Sequence, residues 1–396
     1  MSPNGAPESR PQRTPAWNDP RFRALLFQAV FLVAIVAFLG YVLHNTLANL
    51  EQRGISTGFG FLSTEAGFGI IQTLIDYSET SSFGRTFVVG LLNTLLVSVL
   101  GIVLATLLGF VIGVARLSSN WLIARLAAAY IEIFRNLPLL LQIFFWYFAV
   151  LRALPRPRDS LSLGEAVFLN LRGLYVPRPL LESGFVLVVG AAVVALIAVV
   201  GMLRWSRRRR ELTGSAPRIA RYAPLLLVLL PGAAFLAAGM PLAWELPELQ
   251  GFNFRGGITV IPELTALLLA LSIYTAAFIA EIVRAGILAI PKGQTEAAEA
   301  LGLRRGTILR LVIIPQALRV IIPPLTSQYL NLLKNSSLAT AIGYPDLVNV
   351  FAGTTLNQTG QAVEVIAMTM AVYLTISLSI SLFMNWYNAR IALVER

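Results

Sequence analysis

Cysteine is absent from the 396 residues, which excludes disulfides and thiolate metal sites. Histidine is almost absent: His44 is the single one, and one imidazole without partner ligands does not build a metal centre. Charge is scarce as well. Asp, Glu, Lys and Arg make up 13% of the chain, whereas soluble domains usually carry about 25%. No G-x4-G-K-[ST] loop occurs, so the chain lacks the backbone cradle that would hold ATP phosphates. No repeat of fixed period is visible either.

What remains is apolar. Hydrophobic residues form 56% of the chain and the mean hydropathy is +0.72, the composition of a membrane protein. A spanning helix needs about 20 mainly apolar residues. Stretches free of acidic and basic side chains run over 24–50, 86–115, 183–203, 222–244 and 365–389. Three further apolar segments are shorter or carry isolated charges: 136–151, 259–285 with Glu263, Glu281 and Arg284, and 311–333 with Arg319 and three prolines. Eight spans are therefore expected. The first 23 residues are too polar for a signal peptide, so 24–44 reads as a retained first span with His44 at its outer interface.

An even number of spans puts both termini on one side, and the side richer in Lys and Arg is the inner one. With the N-terminus inside, the inner segments hold the four Arg of the N-terminal tail, seven Arg between 204 and 221, and five Lys or Arg from 284 to 310. The outer loops are poorer in basic residues, five Arg between 152 and 178 being the largest group. Both termini are expected in the cytoplasm. The formal charge of +11 follows from this topology and needs no nucleic-acid partner. Its densest run, "RWSRRRREL", lies directly after an apolar span, where arginine fixes orientation and touches anionic lipid.

The expected organisation is a cytoplasmic tail (1–23), a first span (24–44), a long outer loop (45–85), a first core part (86–154), an inserted region with two additional spans (155–258), a second core part (259–389) and a short tail (390–396). Gly109 and Gly113 form a G-x-x-x-G in the second span, a pattern that lets helices approach closely.

One stretch stands out as charged and helix-prone amid greasy sequence: "PKGQTEAAEALGLRRGTILRLVIIPQALRVIIPP". Thr295 is a plausible N-cap for a helix that starts at Glu296, whose carboxylate suits the positive end of the helix dipole. Gly302 ends that piece, and a second helix follows to a kink at Pro315. Glu296-Ala297-Ala298, Gly302 three residues on, and Val312, Ile314 and Pro315 after nine more resemble the EAA loop of ATP-binding cassette (ABC) importer permeases, with two conservative changes. Flanking segments from Phe83 to Ser118, Glu132 to Phe148, Tyr274 to Leu303 and Pro315 to Ala339 look like polar amino acid uptake permeases. The resemblance covers about two thirds of the chain.

The resemblance implies an all-α polytopic fold of the type I, MetI-like kind, with an inserted helical hairpin, in the bacterial inner membrane. The EAA loop (291–315), through Glu296, Ala297, Ala298, Gly302 and Pro315, would dock on a separate ATPase dimer that binds ATP and Mg. The hairpin makes the chain most similar to the larger permease of general L-amino acid (Aap/Bzt-type) transporters. That likeness implies a second permease subunit forming a heterodimer, a periplasmic amino acid binding protein, and no catalytic residue, cofactor or metal on this chain.

Within the membrane, Glu132 with Arg135 and Glu281 with Arg284 stand three residues apart, so each pair can satisfy itself on one helix face and brace the loop. A zwitterionic substrate needs an anion donor and a cation acceptor, which makes Asn136, Gln142, Gln328, Lys334, Asn335 and Ser336 candidates for the path. The rival reading of those residues is a polar span end at the interface. An ion-coupled secondary transporter would share the spans and buried charges without needing an EAA loop. An intramembrane hydrolase would need a nucleophile and base, and Ser336 and Lys334, two apart on a helix, point to different faces.

Overall fold

The computed structural model describes residues 17, 20–52, 57–214 and 222–391. Most of the two expected tails, and Arg218 and Arg221 of the expected inner loop, lie outside the described residues.

Length and capping explain where the helices run. Helix α1 (Pro20–Gln52) and helix α2 (Phe83–Ala115) have 33 residues each, about 50 Å at 1.5 Å per residue. The Ser82 hydroxyl accepts from the Arg85 amide to start α2. Asn120 starts α3 (Trp121–Asn136) by accepting from the amides of Leu122 and Ile123. Leu137 is extended because Pro138 follows, a residue that disfavours helix in its predecessor. The chain turns through 106° there and resumes as α4 (Leu139–Phe144), continuing in π-helical form to Leu151. The span expected at 136–151 is thus the second arm of a broken helix pair.

Helix α7 (Pro262–Leu288) is the axis of the core, packed by α2, α3, α4 and α10 (Ile314–Asn335). Small residues set the spacing. A Cβ on Gly109 would come 2.6 Å from Ile279 Cβ, and one on Gly113 would come 2.7 Å from the Ala280 carbonyl oxygen. The G-x-x-x-G of α2 therefore lies against α7. Gly286 of α7 admits Ile321 of α10 in the same way. The segment 57–82 folds over this bundle: Phe61 and Ala66 are buried with Phe83, Leu347, Phe351 and Val365, the last from α12 (Ala362–Ile391).

The inserted region contains more than a helical hairpin. After the broken pair come β1 (Leu161–Leu163), β2 (Val167–Asn170), β3 (Gly173–Val176) and β4 (Arg178–Leu181). Helices α5 (Phe185–Thr213) and α6 (Leu226–Ala237) follow, then β5 (Leu242–Glu245), β6 (Glu248–Gln250), β7 (Asn253–Arg255) and β8 (Ile258–Val260). The order β1-β2-β3-β8 makes one antiparallel sheet, with Phe168 opposite Tyr175 and Leu174 opposite Val260. β4 pairs with β5 and β6 with β7. The β4–β5 pair holds the start of α5 beside the end of α6, so the two helices form an antiparallel hairpin.

The eighth expected span is shorter than a full crossing helix, and it returns beside α5 to the paired strands β4 and β5. Among the described residues six helices are long and apolar enough to cross a membrane, and seven if the broken pair is one span. The segment expected at 222–244 is helical only over Ala223–Ala237, because Gly239 and Met240 take positive φ and turn the chain into β5. Since β8 leads into α7 and α8 (Lys292–Ala300) leaves its far end, the strands and α8 lie at opposite ends of a helix about 40 Å long.

Candidate coupling helix and transport path

Helix α8 stands proud of the bundle. Glu296 and Ala297 are exposed, and Ala298 is the one buried residue of the helix. Pro291 precedes the first turn, so the helix begins at Lys292 and Thr295 lies inside it rather than capping it. Gly302 has φ +72°, the left-handed conformation that ends helices and that glycine adopts without Cβ strain. The amides of Gly302 and Leu303 donate to the carbonyls of Glu299 and Ala298, closing the last turn.

The chain then re-enters the bundle through α9 (Arg305–Ile308), a π-helical segment (Leu309–Ile313) and α10. The helical run continues past Pro315, where the sequence predicts a kink. Proline removes the amide that would bond back along the helix, and the π-helical turn just before it widens the backbone. Around α8, Leu301 is 79% exposed and Leu311 65%. The result is a small-residue helix flanked by exposed leucines.

Of the two expected ion pairs, one forms. Arg284 grips Glu281 through two hydrogen bonds, Nε to Oε2 at 2.9 Å being one of them. That is the one ion pair among the described residues. Arg135 instead places its guanidinium 5.2 Å from the Phe278 ring centre of α7, and Glu132 is exposed. The cation finds an aromatic face on the neighbouring helix in place of the carboxylate on its own.

The six polar candidates for a path separate into two groups. Asn136, exposed at the end of α3, donates to the Glu132 carbonyl at 2.7 Å. Gln142 is buried in α4 and donates to the carbonyls of Phe134 and Leu137, thereby fastening the two arms of the broken pair, while its Oε1 has no partner. Gln328 and Asn335 are half-buried on α10 and Lys334 is exposed. The buried Ser336 hydroxyl donates back to the Leu333 carbonyl at 2.7 Å. α4 packs against the 3-10 turns that start at Ser336, so Gln142 and Ser336 belong to adjoining elements.

A third group escapes the sequence reading. Asn93, buried in α2, donates to the carbonyls of Pro345 (2.8 Å) and Gln72 (3.0 Å). The Thr94 hydroxyl accepts from the Leu347 amide at 3.0 Å, and Tyr344 donates to the Asn93 carbonyl. Asp346, also buried, accepts from the Asn349 amide at 2.8 Å. These bonds lock the turn after α10 onto α2. The available signal was the polar pair Asn93-Thr94 in the middle of an apolar run.

Comparison with known proteins identifies the family. The family profile described as "Binding-protein-dependent transport system inner membrane component" matches residues 101–393. YhdX of Escherichia coli (strain K12), named as an amino-acid ABC transporter permease, is 60% identical over 378 residues, covering 96% of each chain. The general L-amino acid transport system permease AapQ of Rhizobium johnstonii is 51% identical, covering 96% of this chain and 95% of its own. The glutamate/glutamine/aspartate/asparagine transport system permease BztB of Rhodobacter capsulatus is 46% identical over 96% of both chains.

Proposed function

The chain belongs to the family of binding-protein-dependent transport system inner membrane components, and from that premise we propose that it carries L-amino acids inward, driven by a partner ATPase through α8. As a member it is a multi-pass inner-membrane permease subunit of an ABC importer, working with an ATPase and a substrate-binding protein. The names of the three relatives support amino acids as cargo, with polar, acidic and amide types foremost.

The observation that carries the coupling role is the isolation of α8. It is short, largely exposed apart from Ala298, closed by a left-handed Gly302, and packed against the π-helical segment that leads into α10. A force applied to Glu296 and Ala297 therefore passes into α10, which packs on α7 and α12. Pro315 sits where that transmission enters the bundle. ATP and Mg belong to the ATPase dimer. Two permease subunits are needed to enclose a path, and a related but distinct second permease is our proposal for the partner. Both termini lie in the cytoplasm on this reading, and the polar groups Gln142, Gln328, Lys334, Asn335 and Ser336 line the route with Asn136 at its inner approach.

Proteoliposomes holding the complete transporter test the reading. Uptake of radiolabelled L-amino acids should require both ATP on the α8 side and external binding protein. Uptake by this chain alone, driven by an ion gradient and indifferent to ATP, would replace it with a secondary transporter.

A further inference from the structure

The strands of the inserted region enclose a cleft of about 510 Å³, within the usual range for small-molecule sites of about 300–1,000 Å³. It lies at the end of α7 remote from α8, which is the outer face in the topology proposed above. Its lining includes Arg158, Ser160, Ser162, Glu165 and Glu248, with the rings of Phe168 and Phe254 as an aromatic floor. None of the three charged groups makes an ion pair among the described residues.

The scaffold beneath is built, not incidental. Phe254 of the floor lies between Phe168 (ring centres 4.5 Å apart) and Tyr175 (4.9 Å). The Arg158 guanidinium rests 4.7 Å from the Phe252 ring centre. Asn170, 1% exposed, donates to the Ser160 hydroxyl at 3.0 Å, and that hydroxyl donates to the Pro157 carbonyl at 2.7 Å. Glu248 stands on β6, while Arg158 lies in a 3-10 turn (Pro157–Asp159) and Glu165 in the turn between β1 and β2, both held by the sheet beside them.

We propose that this cleft is an external binding site for free α-amino acids. It uses Arg158 for the α-carboxylate, Glu165 and Glu248 for the α-ammonium, and the ring of Phe254 or Phe168 for the side chain. A guanidinium matches a carboxylate with two parallel donors, and a carboxylate pair accepts the three donors of an ammonium. The charges are exposed and screened, so the affinity is on the order of 1 mM. That range lets the site report abundant external amino acid without trapping it. The identity of the ligand rests on the amino acid reading of the transporter, whereas the cleft itself is separate from the path through the membrane.

The complete transporter in lipid nanodiscs, without binding protein, is titrated with L-glutamine and L-alanine and read by saturation-transfer NMR. Wild type should give saturable transfer. Arg158→Ala, and separately Glu165→Gln with Glu248→Gln, should each weaken it at least fivefold, and L-alaninamide and N-acetyl-L-alanine, each lacking one charge, should not compete. Equal transfer in the variants, or competition by either analogue, overturns the proposal. So does absence of transfer in wild type, including the case in which Arg158→Ala lowers only stimulation of the ATPase by the binding protein, which makes the cleft a protein contact. Uptake by the same wild-type transporter in proteoliposomes, with ATP and external binding protein, separates the two readings: if it takes up amino acids yet the cleft binds none, only the cleft falls, and if no amino acid is taken up, the cargo reading falls.

Discussion

Glu296 and Gly302 are both exposed, and nothing lies within 4 Å of the position a Cβ on Gly302 would take. A substitution at Gly302 therefore meets no steric wall, and its cost is the left-handed backbone, about 1–2 kcal/mol for a non-glycine residue. Gly302→Val should unwind the last turn of α8 and abolish uptake, while Gly302→Asn, which tolerates that conformation, should keep most of it. Glu296→Lys should leave expression and thermal stability unchanged and remove uptake. Normal uptake in both Glu296→Lys and Gly302→Val would sink the coupling role. Asn93 is the opposite kind of residue. Asn93→Leu strands the buried Pro345 carbonyl and the half-buried Gln72 carbonyl, and should cost about 2–6 kcal/mol at about 1–3 each, seen as a lower melting temperature in detergent. The spacing of Glu296, Gly302 and Pro315 is local and so legible in sequence. Asn93 was not, because its partners lie 21 and 252 residues away.

At the scale of elements, legibility followed the length of the pattern. Long charge-free runs such as those of α2 and α12 show plainly, since nothing but a span fits them. The strands have three or four residues each, too short to show an alternation of period two. The π-helical turns carry no sequence period of their own. Gly109 and Gly113 were visible as a pattern, but only the fold shows that α7 is the helix they admit. Gly113→Leu should drive α2 from Ala280 and Val283, an overpacking that costs about 1–3 kcal/mol or more. The expected result is loss of the assembled transporter on size-exclusion chromatography, with Gly190→Leu as control, since no atom lies within 4 Å of a Cβ there. Equal behaviour of the two variants would mean that α2 and α7 do not need their close approach.

For the molecule as a whole, orientation is the property on which coupling helix, path and cleft all depend. The absence of cysteine makes it directly measurable, since a single introduced thiol has no background. Ser162→Cys, exposed on β1, should react with an impermeant maleimide added outside intact cells, and Lys292→Cys, exposed on α8, only after lysis. Labelling of both from the same side would contradict the opposed ends that α7 imposes. In the proposed topology the arginines 207–210 lie at the inner end of α5 and supply the force that sets the inserted hairpin, at about 1 kcal/mol for each basic residue near an anionic surface. Leu212→Cys, 85% exposed just beyond them, should stay unlabelled from outside while the four arginines are present. Replacing all four by Gln removes up to about 4 kcal/mol of that bias, and a fraction of the chains should then expose the thiol outside. The β4–β5 pairing opposes the inversion, since it ties the outer ends of α5 and α6 to one another. Unchanged labelling in the Gln variant would assign the orientation of the hairpin to those strands and the core beside them rather than to its charge.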